Sequence, residues 1–133
     1  REPVWGLAPP LPDTCPACDA PVKRIGPLWL DRYADEELVG AVGDALDDSM
    51  GERVAAERLL ARLQDELDVV GHYDHHAVCD RLDVPAGPIT AVIEGLREQG
   101  YRASRTHFGG TTFKTDAPTR VVHDVVSSTA DSA

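Results

Sequence analysis

The chain has 133 residues, 42% of them apolar and 5% aromatic, enough for one domain with an aliphatic core and an appended arm. No apolar run approaches the roughly 20 residues of a membrane-spanning helix and no secretory leader is visible at the start, so no membrane span and a cytoplasmic location are expected. The formal charge of −10 falls entirely between Asp31 and Asp83, where fifteen acids face five bases.

Asp is abundant and the lysines are Lys23 and Lys114 alone. Such a surface fits a high-salt cytoplasm, because at about 1 M salt the Debye length is only ~3 Å and acidic faces repel one another weakly. Three cysteines, an odd number, argue against a disulfide framework and fit a reducing compartment.

Residues 1–30 form a Pro-rich arm. Pro3, Pro9, Pro10, Pro12 and Pro16 each remove a backbone donor, so no continuous helix runs through it. Cys15 and Cys18, spaced C-x-x-C, can offer two thiolates to one metal, which is half of a four-ligand zinc site. The missing pair is expected upstream in a longer protein; an idle or redox pair is the alternative. Val22 to Leu30 reads as a strand broken at Gly26-Pro27, with Trp29 in the core or at an interface.

Leu38, Val39, Val42, Ala45 and Leu46 recur at helical spacing and predict a helix from Asp35 to about Asp48, with Asp35, Glu36 and Glu37 at its positive end. Ser49-x-x-Glu52 reads as a capping box opening a second helix whose stripe is Val54, Ala56, Leu59, Leu60, Leu63 and Leu67. Asp74 is an N-cap for a short helix to Leu82. His75 and Cys79 share a face at ligand spacing, but surface histidines beside a small buried thiol is the plainer reading.

Pro88 opens a further helix with Ile89, Val92, Ile93 and Leu96 inward, and Gly100 stops it. A strand over Tyr101–Phe108, a Gly109-Gly110 turn and a strand over Thr112–Thr115 follow. Val121, Val122, Val125 and Val126 predict a last helix, and residues 127–133 a flexible tail. Helix, turn, helix, hairpin is the order of a winged helix. The fold class expected is therefore α+β: a winged-helix-like helical domain over 31–126 with a small β-hairpin, preceded by the Cys-bearing arm.

Positive charge gathers on the hairpin. From Arg97 to Arg120 five bases face two acids, about +3 within an acidic chain, which points to a polyanion. The helix Pro88–Gln99 carries Glu94, Arg97 and Glu98 and offers little to base edges, which weakens a transcription-factor reading. Arg102, Arg105, His107 and Lys114 are the expected RNA-facing set. Strand alternation divides Arg102 from Arg105 and His107, so at least one of the set is structural, with Asp116 as a partner for Arg102 or Arg105.

The run Tyr101-Arg-Ala-Ser-Arg-Thr-His-Phe108, followed by Lys114-Thr-Asp-Ala-Pro118, resembles the C-terminal region of archaeal tRNA (guanine(26)-N(2))-dimethyltransferases. Gly26-Pro-Leu-Trp29, shortly after the Cys pair, resembles another segment of that family in the same order. Gly109-Gly110-Thr111-Thr112 departs from the family's Asp-Pro-Thr-Gly-like connection. The resemblance implies a tRNA-recognition domain. Methyl transfer from S-adenosylmethionine, with its catalytic and cofactor residues, is then expected in an upstream domain absent from this chain, as is a second C-x-x-C. A stand-alone winged-helix regulator of DNA or protein, and a module that docks on its own catalytic domain, are the competing readings.

Overall fold

The apolar periodicities condense into helices where a second element covers them, and the capping residues decide where each helix begins. In the computed structural model, which describes residues 6–15, 19–29 and 31–130, the chain divides into two units, one ending at Asp31 and one beginning at Arg32.

In the N-terminal unit, Thr14 and Pro21 form an isolated antiparallel bridge. The Cys15 N–H donates to the Ala20 carbonyl at 2.8 Å and the Asp19 N–H to the Cys15 carbonyl at 2.8 Å. Cys15 is buried; Cys18 lies outside the described residues. The strand expected over Val22–Leu30 does not form among the described residues 22–29. The Gly26-Pro27 peptide is cis, and among the described residues the pairing beside this segment ends at the Thr14–Pro21 bridge, where the Val22 N–H donates to the Asp13 carbonyl at 2.9 Å. Trp29 is 68% exposed, so it is not a core residue.

The second unit opens with α1, Glu36–Asp44, whose N-cap Asp35 accepts a hydrogen bond from the Leu38 N–H. The helix ends sooner than its apolar pattern predicts. The Asp47 carboxylate takes both the N–H and the hydroxyl of Ser49, folding the chain into an Asx-type turn. That contact also overturns the capping box: Ser49 is spent on Asp47, and α2, Arg53–Asp65, starts after Glu52 in a left-handed conformation with no side-chain cap. Arg53 ties the start of α2 by pairing with Asp48 and, at 2.7 Å, with Glu57.

Strand β1, Tyr73–Asp74, leads into α3, His75–Leu82. Asp74 caps α3 by accepting from the N–H groups of His76 and Ala77. Helix α4, Ile89–Glu98, ends as expected at Gly100, where φ is +87° and the Tyr101 N–H returns to the Leu96 carbonyl. Strands β2, Ala103–Arg105, and β3, Thr112–Thr115, pair antiparallel, and the sheet order β1-β3-β2 puts β3 in the middle. Strand β2 is shorter than predicted, and neither Gly109 nor Gly110 takes a left-handed φ. Helix α5, Thr119–Ala130, runs four residues into the expected tail and buries Ala130.

The core joins Val78 and Cys79 of α3, Val92, Ile93 and Leu96 of α4, Ala103 and Phe113 of the sheet, and Val122, Val125 and Val126 of α5. Helices α4 and α5 meet closely at Gly95, where an added Cβ would stand 2.9 Å from a methyl of Val125. His75, read as a surface residue, is buried instead; burial pushes its pKa down and favours the neutral ring. Phe113 is fully buried and stacks on Tyr73 of β1 at 5.4 Å. Phe113→Ala is expected to lower unfolding stability by about 3–5 kcal/mol in urea titration; a loss below about 1 kcal/mol would contradict this placement of the core.

Candidate nucleic-acid interface

The hairpin that carries the candidate residues is held by hydrogen bonds from short side chains. The Thr115 hydroxyl donates to the Arg102 carbonyl at 2.7 Å, and the hydroxyls of Thr106 and Thr112 meet at 2.5 Å between the strands. The Ser104 hydroxyl accepts the Leu67 N–H at 2.9 Å, tying β2 to the chain leaving α2. Alternation along TFKT would turn every second residue outward, yet all four are buried, because β3 is covered on both faces.

This burial corrects one expectation. Lys114 has no accessible surface, so its ammonium does not meet a phosphate in this structure. It lies 2.8 Å from Glu66 Oε1 and 3.7 Å from the centre of the Tyr33 ring. Among the described residues neither Nζ nor Oε1 has a further hydrogen-bond partner, so each charge is compensated chiefly by the other. Glu66 Oε2 accepts the His107 N–H at 2.8 Å and stands 2.8 Å from His107 Nδ1. An ionised carboxylate only accepts, so Nδ1 carries the proton. Burial raises the Glu66 pKa, but Lys114 and His107 outweigh it and hold the carboxyl below its usual range.

The three other candidates lie nearer the surface. Arg102 is 70% exposed, and its Nε donates to Asp116 Oδ2 at 2.8 Å while its N–H donates to Oδ1 at 2.9 Å. The Arg102 hydrogen bonds hold the Asp116 carboxyl below its usual range. Arg105 is half-buried; one Nη donates to the Gly110 carbonyl, bracing the hairpin tip. His107 is partly exposed and packs against Phe108, which also stacks on His72 at 4.8 Å. The hairpin thus presents Arg102, Arg105 and the His107 edge, while Lys114 is an internal post.

Glu66 and Tyr33 were not among the candidate residues. One signal pointed to Glu66: a lysine inside a strand of otherwise uncharged residues, in a chain with two lysines, calls for a buried acid. Sequence spacing cannot say that the acid comes from 48 positions earlier.

For the metal, Cys15 is the one described sulfur of its pair, and among the described residues no three His, Cys, Asp or Glu side chains converge. The described part of this chain therefore does not form a complete tetrahedral zinc site.

Fold and site together define a small α+β module that has, among the described residues, five helices, a three-stranded antiparallel sheet and a cationic edge strand. The chain belongs to the N2,N2-dimethylguanosine tRNA methyltransferase family, whose model matches residues 5–127. It is 44% identical over 98% of its length to the tRNA (guanine(26)-N(2))-dimethyltransferase of Haloarcula marismortui, and 44% identical over 89% of its length to that of Methanoculleus marisnigri. It spans about a third of each relative, 35% and 32% respectively. Among solved structures it is similar to Trm1 from Pyrococcus horikoshii in complex with S-adenosyl-L-methionine, with a TM-score of 0.67, 37% identity, 75% of this chain covered and 27% of that one.

Lys114→Met is expected to destabilise the protein by about 3–5 kcal/mol, because it leaves the Glu66 carboxylate buried without its counter-charge. The Glu66 pKa is depressed on folding, so its contribution is present above its unfolded value of about 4.3 and is lost as pH falls through the lower folded value. Urea titrations from pH 7 down to 3 should show this acid limb in the wild type and its absence in Lys114→Met.

Proposed function

We propose that this chain is the tRNA-holding part of an S-adenosylmethionine-dependent tRNA guanine-N2 dimethyltransferase, working in the cytoplasm beside a catalytic domain in the intact enzyme. The observation that carries this reading is the family match over nearly the whole chain together with the chain's share of about a third of its relatives. S-adenosylmethionine, bound by the catalytic domain, supplies the methyl group.

The residues of this chain orient and hold. A guanine exocyclic amine inside a stacked, paired tRNA is reachable only if the base is exposed while the body of the tRNA keeps its register. Phosphate and 2′-hydroxyl contacts provide register without reading much sequence. Arg102 and Arg105 offer guanidinium forks suited to phosphate oxygens, and the His107 ring edge offers a further contact. Lys114 serves these residues indirectly, by fixing Glu66, which holds the His107 backbone and ring.

The finer fold reading is a winged helix. Its support is the sequence β1, α3, α4, β2, β3, with the hairpin closing on β1 through β3. Cys15 and Cys18 are read as half of a structural zinc site whose other two ligands come from elsewhere in the intact protein.

In the full-length enzyme, the double variant Arg102→Ala, Arg105→Ala should raise KM for tRNA about tenfold or more and leave kcat nearly unchanged, the pattern of lost uniform binding. Unchanged KM and unchanged tRNA affinity would reject these two residues as RNA contacts.

A further inference from the structure

A second cationic feature adjoins the hairpin and shares Arg105 with it. An open groove of about 620 Å³ runs between α2 and α4 with β2 along its floor. Arg58 and Arg62 enter it from α2, Arg97 from α4 and Arg105 from β2. Elsewhere among the described residues Arg24, Arg81 and Arg120 form no ion pair, while Arg32 pairs with Glu36, Arg53 with Glu57 and Arg102 with Asp116. None of the four groove arginines does so among the described residues, although Asp65 and Glu94 line the same groove. Arg97 and Arg105 donate to the carbonyls of Ala103 and Gly110, contacts that fix their direction without neutralising them.

Arg58 and Arg62 are one helical turn apart. Like charges at that spacing are mildly destabilising in a free helix. Four arginines against Asp65 and Glu94 leave this groove cationic in a chain with ten surplus negative charges, a local field that favours an anion. Their chemistry narrows the anion. Guanidinium forks match phosphate oxygens, and their spread over three elements fits a run of phosphates rather than a single one. No aromatic ring lines the groove, so it offers no platform for stacking a base.

We propose that this groove is a second RNA site that takes the phosphodiester backbone of a tRNA strand, independently of base identity, with Arg58 and Arg62 as its outer clamp. The proposal rests on the tRNA-holding reading given above and extends it to an adjoining surface that shares Arg105 with the hairpin.

The test is the salt dependence of tRNA binding by the full-length enzyme. Each phosphate contact contributes about 0.7–0.9 to the slope of log affinity against log salt. Arg58→Ala, Arg62→Ala should weaken binding about tenfold or more near 0.1 M salt and reduce the slope by about 1.5. Arg58→Lys, Arg62→Lys should restore most of the slope, since charge sets counterion release, and Arg81→Ala in α3 should change neither quantity. If the alanine pair leaves affinity and slope unchanged while Arg102→Ala, outside the groove, weakens binding, the groove proposal falls and the tRNA-holding reading stands. If the intact wild-type enzyme binds tRNA and neither the α2 pair nor the Arg102→Ala, Arg105→Ala pair matters, both assignments of this chain to RNA fall. Equal unfolding midpoints of wild type and the α2 variant confirm that a changed slope reports binding; both residues are exposed, so folding should survive.

Discussion

The charge pair between Glu66 and Lys114 is the contact on which the rest of the second unit depends. It joins the residue just beyond α2 to the central strand of the sheet, across 48 positions of chain. Two ions removed from water are costly unless each finds the other, and here the pairing is supplemented by the Tyr33 ring above the ammonium and by His107 on the second carboxylate oxygen. Such a pair is a modest source of net stability. Its effect is on register: β3 cannot slide, and the segment leaving α2 cannot lift, without stranding a charge.

That constraint reaches the surface through His107 and Ser104. Glu66 holds the His107 backbone where β2 ends, and Ser104 holds the Leu67 backbone one residue on. The α2 helix and the hairpin are thereby placed side by side, which is what turns Arg58 and Arg62 toward the same groove as Arg105. A buried lysine that touches no ligand thus bears on where three surface arginines point.

Salt separates these interactions. Exposed pairs such as Arg32 with Glu36 weaken as counterions accumulate, whereas a pair without solvent access is screened little. A chain carrying ten net negative charges keeps its internal tie under conditions that erase much of its surface electrostatics. Four of its arginines line one groove, which is locally positive despite the overall sign.

The helices were legible from the sequence wherever periodicity and capping agreed: Asp35 and Asp74 cap α1 and α3, and Gly100 ends α4. The order of helices and hairpin, the cationic character of the 97–120 segment and the family resemblance were legible for the same reason, since each depends on neighbours along the chain. Tertiary contacts decided what depends on distant partners. Ser49 looked like a cap but bonds Asp47; Val22–Leu30 looked extended, but its described residues 22–29 join no strand among the described residues; Lys114 looked like a surface contact but is enclosed with Glu66. Local sequence records conformational preference and the side chain's chemistry. Which carboxylate a buried ammonium meets, and which arginines share one groove, is set by packing between segments tens of residues apart, and only the folded chain expresses it.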